Sequence, residues 1–171
     1  MASRKTIGTM TAGSAGTASE SGRVRAGVAR EISAGGVVVR RMRGRHYLAA
    51  IEPGGRPGVR ALPKGIVDRG EDPVATALRE VAEETGISAT PVESLGHVRY
   101  VYTRGGQRIF KIVTFYLMRY RSGRLGDIAP QMRHEVAACY WIPLEEAPRT
   151  LAYRGEREMA DAALRRLAPS V

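Results

Sequence analysis

The alternation of apolar and polar residues along the chain predicts a single unit that mixes strands and helices. Runs rich in Val, Ile, Leu, Tyr and Phe, bounded by Gly, Pro or basic turns, are typical of β-strands. Short turns join two pairs of these runs and predict two hairpins, one turn over residues 41–45 and one at Gly105-Gly106. The predicted strands span residues 32–40, 47–51, 59–62, 98–103, 109–120 and 136–142.

Helical periodicity is clearest over residues 73–85, where apolar side chains recur at spacings of three and four and form a buried stripe. Asp72 can cap this helix, Pro73 suits its first position, and Gly86 suits the position after its last turn. Strands in hairpins flanked by helices predict an α/β fold with a central mixed β-sheet. Two further helices are predicted, over residues 144–152 and 156–167.

The domain organisation follows from length and local composition. A chain of 171 residues suggests one domain that is long enough to bury a substantial core. Residues 1–28 are rich in Ser, Thr, Gly and Ala and contain no aromatic residue, which predicts a flexible basic tail. Residues 29–171 are predicted to form the single folded domain.

Charge and composition narrow the classes of function. The chain has 27 basic and 17 acidic residues and a net charge of +10, which favours an anionic partner: nucleic acid, a phosphorylated small molecule or an acidic membrane surface. No apolar run approaches 18 residues, so the sequence predicts no membrane span. The single cysteine excludes an internal disulfide, which makes the reducing cytoplasm the expected location.

Three acidic residues of the predicted helix share one of its faces. Glu80, Glu83 and Glu84 stand at positions i, i+3 and i+4, so their carboxylates lie within reach of one ion. Like charges at this spacing destabilise an isolated helix, and a cation would remove that penalty. Carboxylates without Cys or His suit Mg²⁺ or Mn²⁺ better than Zn²⁺. The alternative interpretation is a solvated acidic face with no ligand.

The spacing of residues beyond the helix favours the metal interpretation. Residues 65–87 read Gly, five residues, Glu, seven residues, Arg-Glu, then Val-Ala-Glu-Glu-Thr-Gly-Ile. This segment resembles the complete motif of the Nudix hydrolase family, Gly-x5-Glu-x7-Arg-Glu-U-x-Glu-Glu-x-Gly-U, where U is aliphatic. Seven matches of fixed residue type would arise by chance with a probability of about 10⁻⁸ per window.

The resemblance implies a fold, a reaction and a metal site. The family's α/β/α sandwich would cover roughly residues 30–168, and the family hydrolyses diphosphate linkages with divalent metal, here expected to be Mg²⁺ with Mn²⁺ as an alternative. Carried over by position, Glu80, Glu83 and Glu84 would bind the metal, and the backbone carbonyl of Gly65 would contribute a further ligand. Such a metal would neutralise phosphoryl oxygens and lower the pKa of the attacking water.

The resemblance also suggests roles in proton transfer and support. Glu80 and Glu84 are predicted to combine metal ligation with proton acceptance. Glu71 and Arg79 would form an ion pair that fixes the loop against the helix. Glu135 is the candidate for an additional metal ligand or general base outside the motif, because it precedes a strand that contains Trp141, as in the family. The alternative for Glu135 is an exposed charge at the entry of a strand.

Residues that set the substrate are less strongly marked. Lys64 lies in a Leu-Pro-Lys-Gly segment that resembles the diadenosine polyphosphate and diphosphoinositol branches, in which the Lys faces phosphate. Tyr100 and Tyr102 are candidates for stacking on a base, or they form one buried face of a strand. Arg104 is a candidate polyphosphate contact, with solvated edge charges as the alternative. Three further arginines share this interpretation: Arg40, Arg99 and Arg108.

These observations predict a Mg²⁺-dependent Nudix hydrolase that cleaves a nucleoside polyphosphate, with a diadenosine tetraphosphate-like compound as the first choice. Alternatives within the family are sanitising of nucleoside triphosphates, RNA 5′-end hydrolysis and ADP-ribose hydrolysis. An alternative of another class is a catalytically silent regulatory module that binds nucleotide or RNA. Residues 65–87 carry a net charge of −4 and the rest of the chain +14, so the basic charge favours attraction of a small anion over binding of nucleic acid.

Overall fold

A computed structural model describes residues 27–169, which contain a six-stranded sheet with helices on both faces. The predicted tail lies outside the described residues, apart from residues 27 and 28. The sheet has the strand order β4-β5-β1-β2-β6, and β3 pairs separately with β1. The strands are β1 (Ala29–Met42), β2 (Arg45–Pro53), β3 (Lys64–Ile66), β4 (Ile87–Arg104), β5 (Gln107–Gly123) and β6 (Val136–Pro143).

The sheet is mixed because β1 runs parallel to β5 and antiparallel to β2 and β3. The parallel register extends from Ala29 opposite Ile109 to Val39 opposite Arg119. The β1–β2 and β4–β5 connections are the two predicted hairpins. These pairings place β1 in the middle of the sheet, with the short β3 beside its first half.

Two apolar layers cover the sheet, one on each face. Val38 packs with α1 (Pro73–Thr85), whereas its neighbours Val37 and Val39 pack with α2 (Ala147–Thr150) and α3 (Arg154–Leu167). Side chains alternate between the two faces of a strand, so one apolar run supplies both layers. The predicted α/β sandwich is therefore confirmed. No helix within residues 27–169 is long and apolar enough to span a membrane.

The limits of α1 agree with its predicted limits because local interactions set both ends. The Asp72 side chain accepts hydrogen bonds from the backbone N–H groups of Val74 and Ala75, at 3.1 and 3.2 Å. Pro73 occupies the first turn, where its missing N–H group loses no helical bond. Gly86 ends the helix with a left-handed conformation, φ 77°.

Three other predicted elements require correction. Residues 59–62 do not form a strand: Ala61 makes only an isolated bridge to Ile51, and the strand β3 begins two residues later, after Pro63. Strand β4 begins at Ile87, well before the predicted residue 98, because β5 is long enough to pair with it over its whole length. The helix predicted over 144–152 is limited to Ala147–Thr150, since the preceding residues form turns.

We predict that Gly86→Ala destabilises the fold by about 2 kcal/mol or more. A left-handed backbone disfavours any side chain by about 1 kcal/mol. In addition, a Cβ atom at position 86 would lie 2.3 Å from the carbonyl oxygen of Asp127, which is backbone and cannot rotate away. The free energy of unfolding in urea measures the effect.

Gly44→Ala is the matched control, because Gly44 has a similar φ of 81° and no atom within 4 Å of the added Cβ. This control should lose only the conformational part, about 1 kcal/mol. Equal losses in the two variants would show that the contact with Asp127 imposes no constraint.

Candidate active site

The site is formed where the segment entering β3 meets the buried side of α1. Gly65 pairs with Ala34 in the middle of β1, and α1 packs over the same region of the sheet through Val81. The two elements are joined by a short loop that ends at the Asp72 cap. As a result, the backbone of β3 lies against the carboxylates of Glu80 and Glu84, both less than a tenth exposed.

Arg79 organises the acidic side of this site. Its guanidinium donates two hydrogen bonds to the Glu71 carboxylate, at 3.0 and 3.1 Å. Its Nη1 atom also contacts Glu80 at 2.8 Å and Glu83 at 3.2 Å. These hydrogen bonds from Arg79 lower the pKa of Glu71 to about 2, so Glu71 stays ionised. One arginine thus connects the loop to two carboxylates of the helix.

We predict that Arg79→Lys weakens metal binding by about 10- to 100-fold, the range typical of residues that orient metal ligands. An ammonium group can pair with one carboxylate but cannot reproduce the fork of hydrogen bonds that Arg79 makes with three. Calorimetric titration with Mn²⁺ measures the affinity. Arg165→Lys, an exposed substitution on α3, is the control, and an affinity of Arg79→Lys equal to that of the unmodified chain would refute the role of Arg79.

Glu80 lies directly against the backbone of Gly65. A Cβ atom at position 65 would lie 2.0 Å from both Cδ and Oε1 of Glu80, so only glycine leaves room for this carboxylate. Burial raises the pKa of Glu80, Arg79 opposes the shift, and the charges of Glu83 and Glu135 add to it. The carboxylate and the Gly65 backbone therefore form one compact, oxygen-rich surface.

Glu84 is the most strongly perturbed acid of the site. Its Oε2 atom accepts a hydrogen bond from the backbone N–H of Lys64 at 2.9 Å. Burial raises the pKa of Glu84 to about 8 despite this bond, and the negative charges of Glu80 and Glu135 contribute to the rise. Glu80 and Glu84 are thus two buried carboxylates, and the charge of Glu80 disfavours ionisation of Glu84.

Glu135 is placed near this pair, although it is exposed. It stands in the turn before β6, its side chain is 55% exposed, and it lies 3.3 Å from His134. Its backbone carbonyl accepts a hydrogen bond from the N–H of Gly54 at 2.7 Å, which anchors the turn. The influence of its charge on the pKa values of Glu80 and Glu84 places the three carboxylates in one electrostatic environment.

The donor set fits a hard divalent cation. Glu80 and Glu84 supply carboxylate oxygens beside the Gly65 backbone, and a cation there would stabilise their ionised forms, which burial disfavours. Within residues 27–169, no three acidic, His or Cys side chains already stand close enough together to hold an ion. Glu83 does not complete such a group with Glu80 and Glu84, and its carboxylate pairs with Arg79.

We predict that metal affinity falls as the pH is lowered. Glu84 must be ionised to bind a cation, so protons compete with the metal below its pKa of about 8. The affinity should fall by up to about tenfold per pH unit in that range. Calorimetric titration with Mn²⁺ at pH 6, 7 and 8 measures the slope, and a slope as steep in Glu84→Gln would contradict the assignment to Glu84.

A cavity of about 940 Å³ is lined by residues of β4, β5 and α3 and by Lys64, whose backbone N–H contacts Glu84. Tyr100 and Tyr102 both line it, with their ring centroids 6.1 Å apart. Tyr100 is 38% exposed, so the alternative of one buried strand face does not describe it. The cavity wall also has a basic component, formed by Lys64, Arg99 and Lys111.

Lys64 joins the cavity to the carboxylate site, but its ammonium group is already paired. Its Nζ atom lies 2.9 Å from Oε1 of Glu156 and 3.4 Å from the carbonyl oxygen of Leu62. Burial would lower the pKa of Lys64, but Glu156 and Glu84 outweigh burial and raise it, so the ammonium stays charged. The lysine predicted to face phosphate therefore rests against a buried acid.

The predicted arginine contacts are dispersed. Arg104 lies 3.4 Å from Glu31, and its side chain is 66% exposed. Glu31 is buried and also contacts the hydroxyl group of Tyr102 at 3.0 Å and Lys111 at 2.6 Å. Arg40 stacks over Tyr120 on another part of the sheet. Among the four predicted arginines, only Arg99 lines the cavity within the described part of the chain.

Glu31 and Glu156 are the two residues that the sequence analysis missed. Glu156 lies three residues before Met159 and seven before Ala163, all three of which are buried on one face of α3. An acid within an apolar stripe is a signal of a buried partner, because an unpaired charge is rarely buried. The sequence carries no comparable signal for Glu31, because a charged residue near the start of a strand is expected to be exposed.

Comparisons with known proteins show which proteins this chain is similar to. A family model described as the NUDIX domain matches residues 29–167. A Mycobacterium tuberculosis protein named "Putative mutator protein MutT4" is 40% identical over 138 residues, which are 78% of this chain and 54% of that protein. The rat bis(5′-nucleosyl)-tetraphosphatase [asymmetrical] is 35% identical over 85 residues, 50% of this chain and 56% of that enzyme. The chain thus spans about half the length of these curated relatives.

A solved structure gives the same result for the fold. The crystal structure of a Caenorhabditis elegans Ap4A hydrolase binary complex superposes with a TM-score of 0.65 and 26% sequence identity. The match covers 80% of this chain and 97% of the nematode chain. The similarity therefore extends over most of both chains.

Proposed function

Because the chain belongs to the NUDIX domain family, we propose that it is a metal-dependent hydrolase of phosphoanhydride bonds in a nucleoside polyphosphate. The family resemblance of residues 65–87 is thereby confirmed, and relatives named as phosphatases and pyrophosphohydrolases support the prediction of an enzyme. One observation carries the proposal: two buried carboxylates, Glu80 and Glu84, lie against the backbone of residues 64 and 65, and Lys64 of this segment also lines a large cavity with several basic residues in its wall.

The residues of this chain would hold the metal through oxygen ligands. Glu80, Glu84 and the Gly65 carbonyl would bind it, and Glu83 would join them by leaving its contact with Arg79. When bound, Mg²⁺ or Mn²⁺ would neutralise charge on the phosphoryl oxygens and lower the pKa of the attacking water. Arg79, itself held by Glu71, would keep Glu80 in place beside the metal.

Proton acceptance is assigned to the same group of acids. Glu80 and Glu84 have raised pKa values, which suits a base that acts near neutral pH. Glu135 is the third candidate, and its exposure leaves it free to move toward a water molecule near the other two. A carboxylate in this position would take a proton from the water as the water oxygen bonds to phosphorus and the bridging P–O bond of the anhydride breaks, so that the second phosphate leaves with the bridging oxygen.

The cavity supports a substrate with a base and several phosphates. Tyr100 and Tyr102 offer aromatic rings to a base, a contact worth about 1–3 kcal/mol in other proteins. Lys64, and Arg104 after release from Glu31, would meet the phosphates. Among nucleoside polyphosphates we propose a diadenosine tetraphosphate-like compound first, because the nematode and rat relatives act on substrates of that class by name. Nucleic acid is not favoured as a partner, and a cytoplasmic location stays a prediction.

A second candidate is the sanitising of oxidised nucleoside triphosphates. The specific observation in its favour is the similarity to two mycobacterial proteins, the mutator relative and one named 8-oxo-(d)GTP phosphatase. The same carboxylates would serve in both reactions. The two candidates differ in the number of bases that the cavity must accept.

A substrate panel tests the proposal. Diadenosine tetraphosphate, 8-oxo-dGTP, 5′-triphosphorylated RNA and ADP-ribose would be incubated with the full chain and Mg²⁺, and phosphate, pyrophosphate and nucleotide products would be measured. We expect the highest kcat/KM with diadenosine tetraphosphate. A preference for 8-oxo-dGTP would support the second candidate, and the absence of turnover with every compound would favour a silent nucleotide-binding module.

A further inference from the structure

Glu156 is a buried acid for which the proposed reaction has no role. It lies in the first turn of α3 and is 3% exposed. One carboxylate oxygen accepts a hydrogen bond from the backbone N–H of Leu62 at 2.9 Å, and the other lies 2.9 Å from Nζ of Lys64. A carboxylate this deeply buried is retained only with good partners, and both partners belong to one three-residue segment.

That segment, residues 62–64, is also in direct contact with the carboxylate site. The backbone N–H of Lys64 donates to Glu84 at 2.9 Å, and the next residue, Gly65, lies against Glu80. A displacement of the segment would therefore move the N–H group away from Glu84 and change the space that Glu80 occupies. Helix α3 thus contacts, through Glu156, the backbone that borders both carboxylates.

The ion pair also determines where the Lys64 ammonium points. Lys64 and Glu156 both line the cavity, and the ammonium is 5.8 Å from the ring of Tyr153. Without the negative charge of Glu156, the ammonium would lose the carboxylate that holds it at the cavity wall.

We propose that Glu156 is a positioning residue that holds residues 62–64 so that the Lys64 N–H faces Glu84 and the Lys64 ammonium faces an anionic substrate in the cavity. This inference rests on the proposed function for the identity of the substrate. The two carboxylate oxygens of Glu156 have different roles in this inference. The oxygen that accepts from the Leu62 N–H supports the carboxylate site, and the oxygen beside the Lys64 ammonium supports substrate binding.

Two substitutions of Glu156 separate these contacts. Glu156→Gln keeps a carbonyl oxygen for Leu62 but places an uncharged amide beside the ammonium. For this variant we expect KM for the best substrate to rise about tenfold, the effect of losing one charged contact, with kcat within about twofold. Glu156→Ala removes both contacts, so kcat should fall as well.

The affinity for Mn²⁺ in the absence of substrate provides a readout that does not depend on turnover. Glu156→Gln should bind Mn²⁺ within about twofold of the unmodified chain, and Glu156→Ala about tenfold more weakly. Asp161→Asn, an exposed substitution on the same helix, is the control for both measurements. Thermal unfolding of each variant shows whether it is folded at the temperature of the assay.

A double-mutant cycle with Lys64→Met shows whether Glu156 acts through Lys64. The double variant should have a KM no higher than that of the worse single variant, because the two substitutions remove the same contact. Multiplicative effects on KM, or an unchanged KM in Glu156→Gln, would overturn the inference for the ammonium. An unchanged Mn²⁺ affinity in a folded Glu156→Ala variant would overturn it for the carboxylate site.

The two proposals fail in different ways. If the unmodified chain hydrolyses nothing in the substrate panel, the proposed function fails, whereas the Mn²⁺ titrations still decide whether Glu156 supports the carboxylate site. If turnover is present and both Glu156 variants match the Asp161→Asn control in KM and Mn²⁺ affinity, the inference fails and the proposed function stands.

Discussion

Replacing Glu84 with Gln is expected to lower kcat by about a thousandfold on the best substrate, and no other single substitution should reduce activity more. The amide keeps an oxygen that can accept the Lys64 N–H bond, so the local packing is retained. It loses the negative charge that binds the cation and the basic oxygen that can accept a proton. Interactions of several kcal/mol are removed from the transition state, and each 1.36 kcal/mol corresponds to about a tenfold change in rate.

Steady-state kinetics over a range of Mg²⁺ concentrations would measure this effect, with Asp161→Asn as the control. If excess Mg²⁺ restored full activity to Glu84→Gln, the side chain would serve only to raise metal affinity. Undiminished turnover at ordinary Mg²⁺ would refute the assignment of Glu84 to the active site.

The free energy of unfolding shows whether Glu84→Gln loses activity because the carboxylate is absent or because the fold is disturbed. The pKa of Glu84 is raised to about 8 in the fold, above its ordinary value near 4.5. The folded chain therefore binds a proton that the unfolded chain has released, and its metal-free stability falls as the pH rises between those two values. Glu84→Gln lacks this ionisation, so it should be more stable than the unmodified chain at pH 9 without metal, as urea unfolding would show.

Gly65→Ala is expected to reduce kcat/KM by about a hundredfold or more. The added Cβ would lie 2.0 Å from the Glu80 carboxylate, so the carboxylate, the backbone or both must move. A displacement of about 1 Å in a catalytic group can lower the rate by about two orders of magnitude. Gly65 does not have a positive φ, so the loss would come from this contact and not from backbone strain.

Gly27→Ala is the matched control, because Gly27 also lacks a positive φ and no atom of residues 27–169 lies within 4 Å of its added Cβ. Kinetics, Mn²⁺ titration and urea unfolding of both variants would locate the loss. A Gly65→Ala variant with normal Mn²⁺ affinity and normal kcat/KM would show that the position of Glu80 relative to β3 is unimportant.

The predictions of secondary structure succeeded where local interactions decide it. The Asp72 cap, Pro73 and the left-handed Gly86 act within one or two turns, and the observed α1 agrees with the predicted helix at both ends. Residues 59–62 were predicted wrongly because an apolar run does not reveal which strand will pair with it. The segment that pairs with β1 in this region is Lys64–Ile66, which lies opposite Ser33 to Gly35.

In the candidate site, too, some residues were predictable from local sequence and others were not. The family motif identified Gly65, Glu80 and Glu84, and the structure brings these three together against β3. The exposed Glu135 also lies within their electrostatic range. The arginines were less predictable: Arg40 and Arg104 have apolar and acidic partners respectively, and neither lines the cavity within the described residues.

Local sequence was enough to predict the helix α1, the family and the acidic residues of the candidate site, because the caps, the helical spacing and the motif all lie within residues 65–87. The partners of the buried acids depend on the tertiary structure. Glu31 meets Tyr102 across 71 residues, and Glu156 meets Leu62 across 94. Such contacts depend on strand register and on the docking of α3, which are set by packing of the whole core. The carboxylates were therefore predictable from local spacing, whereas the cavity lined by Lys64 and the contact of Lys64 with Glu156 were not.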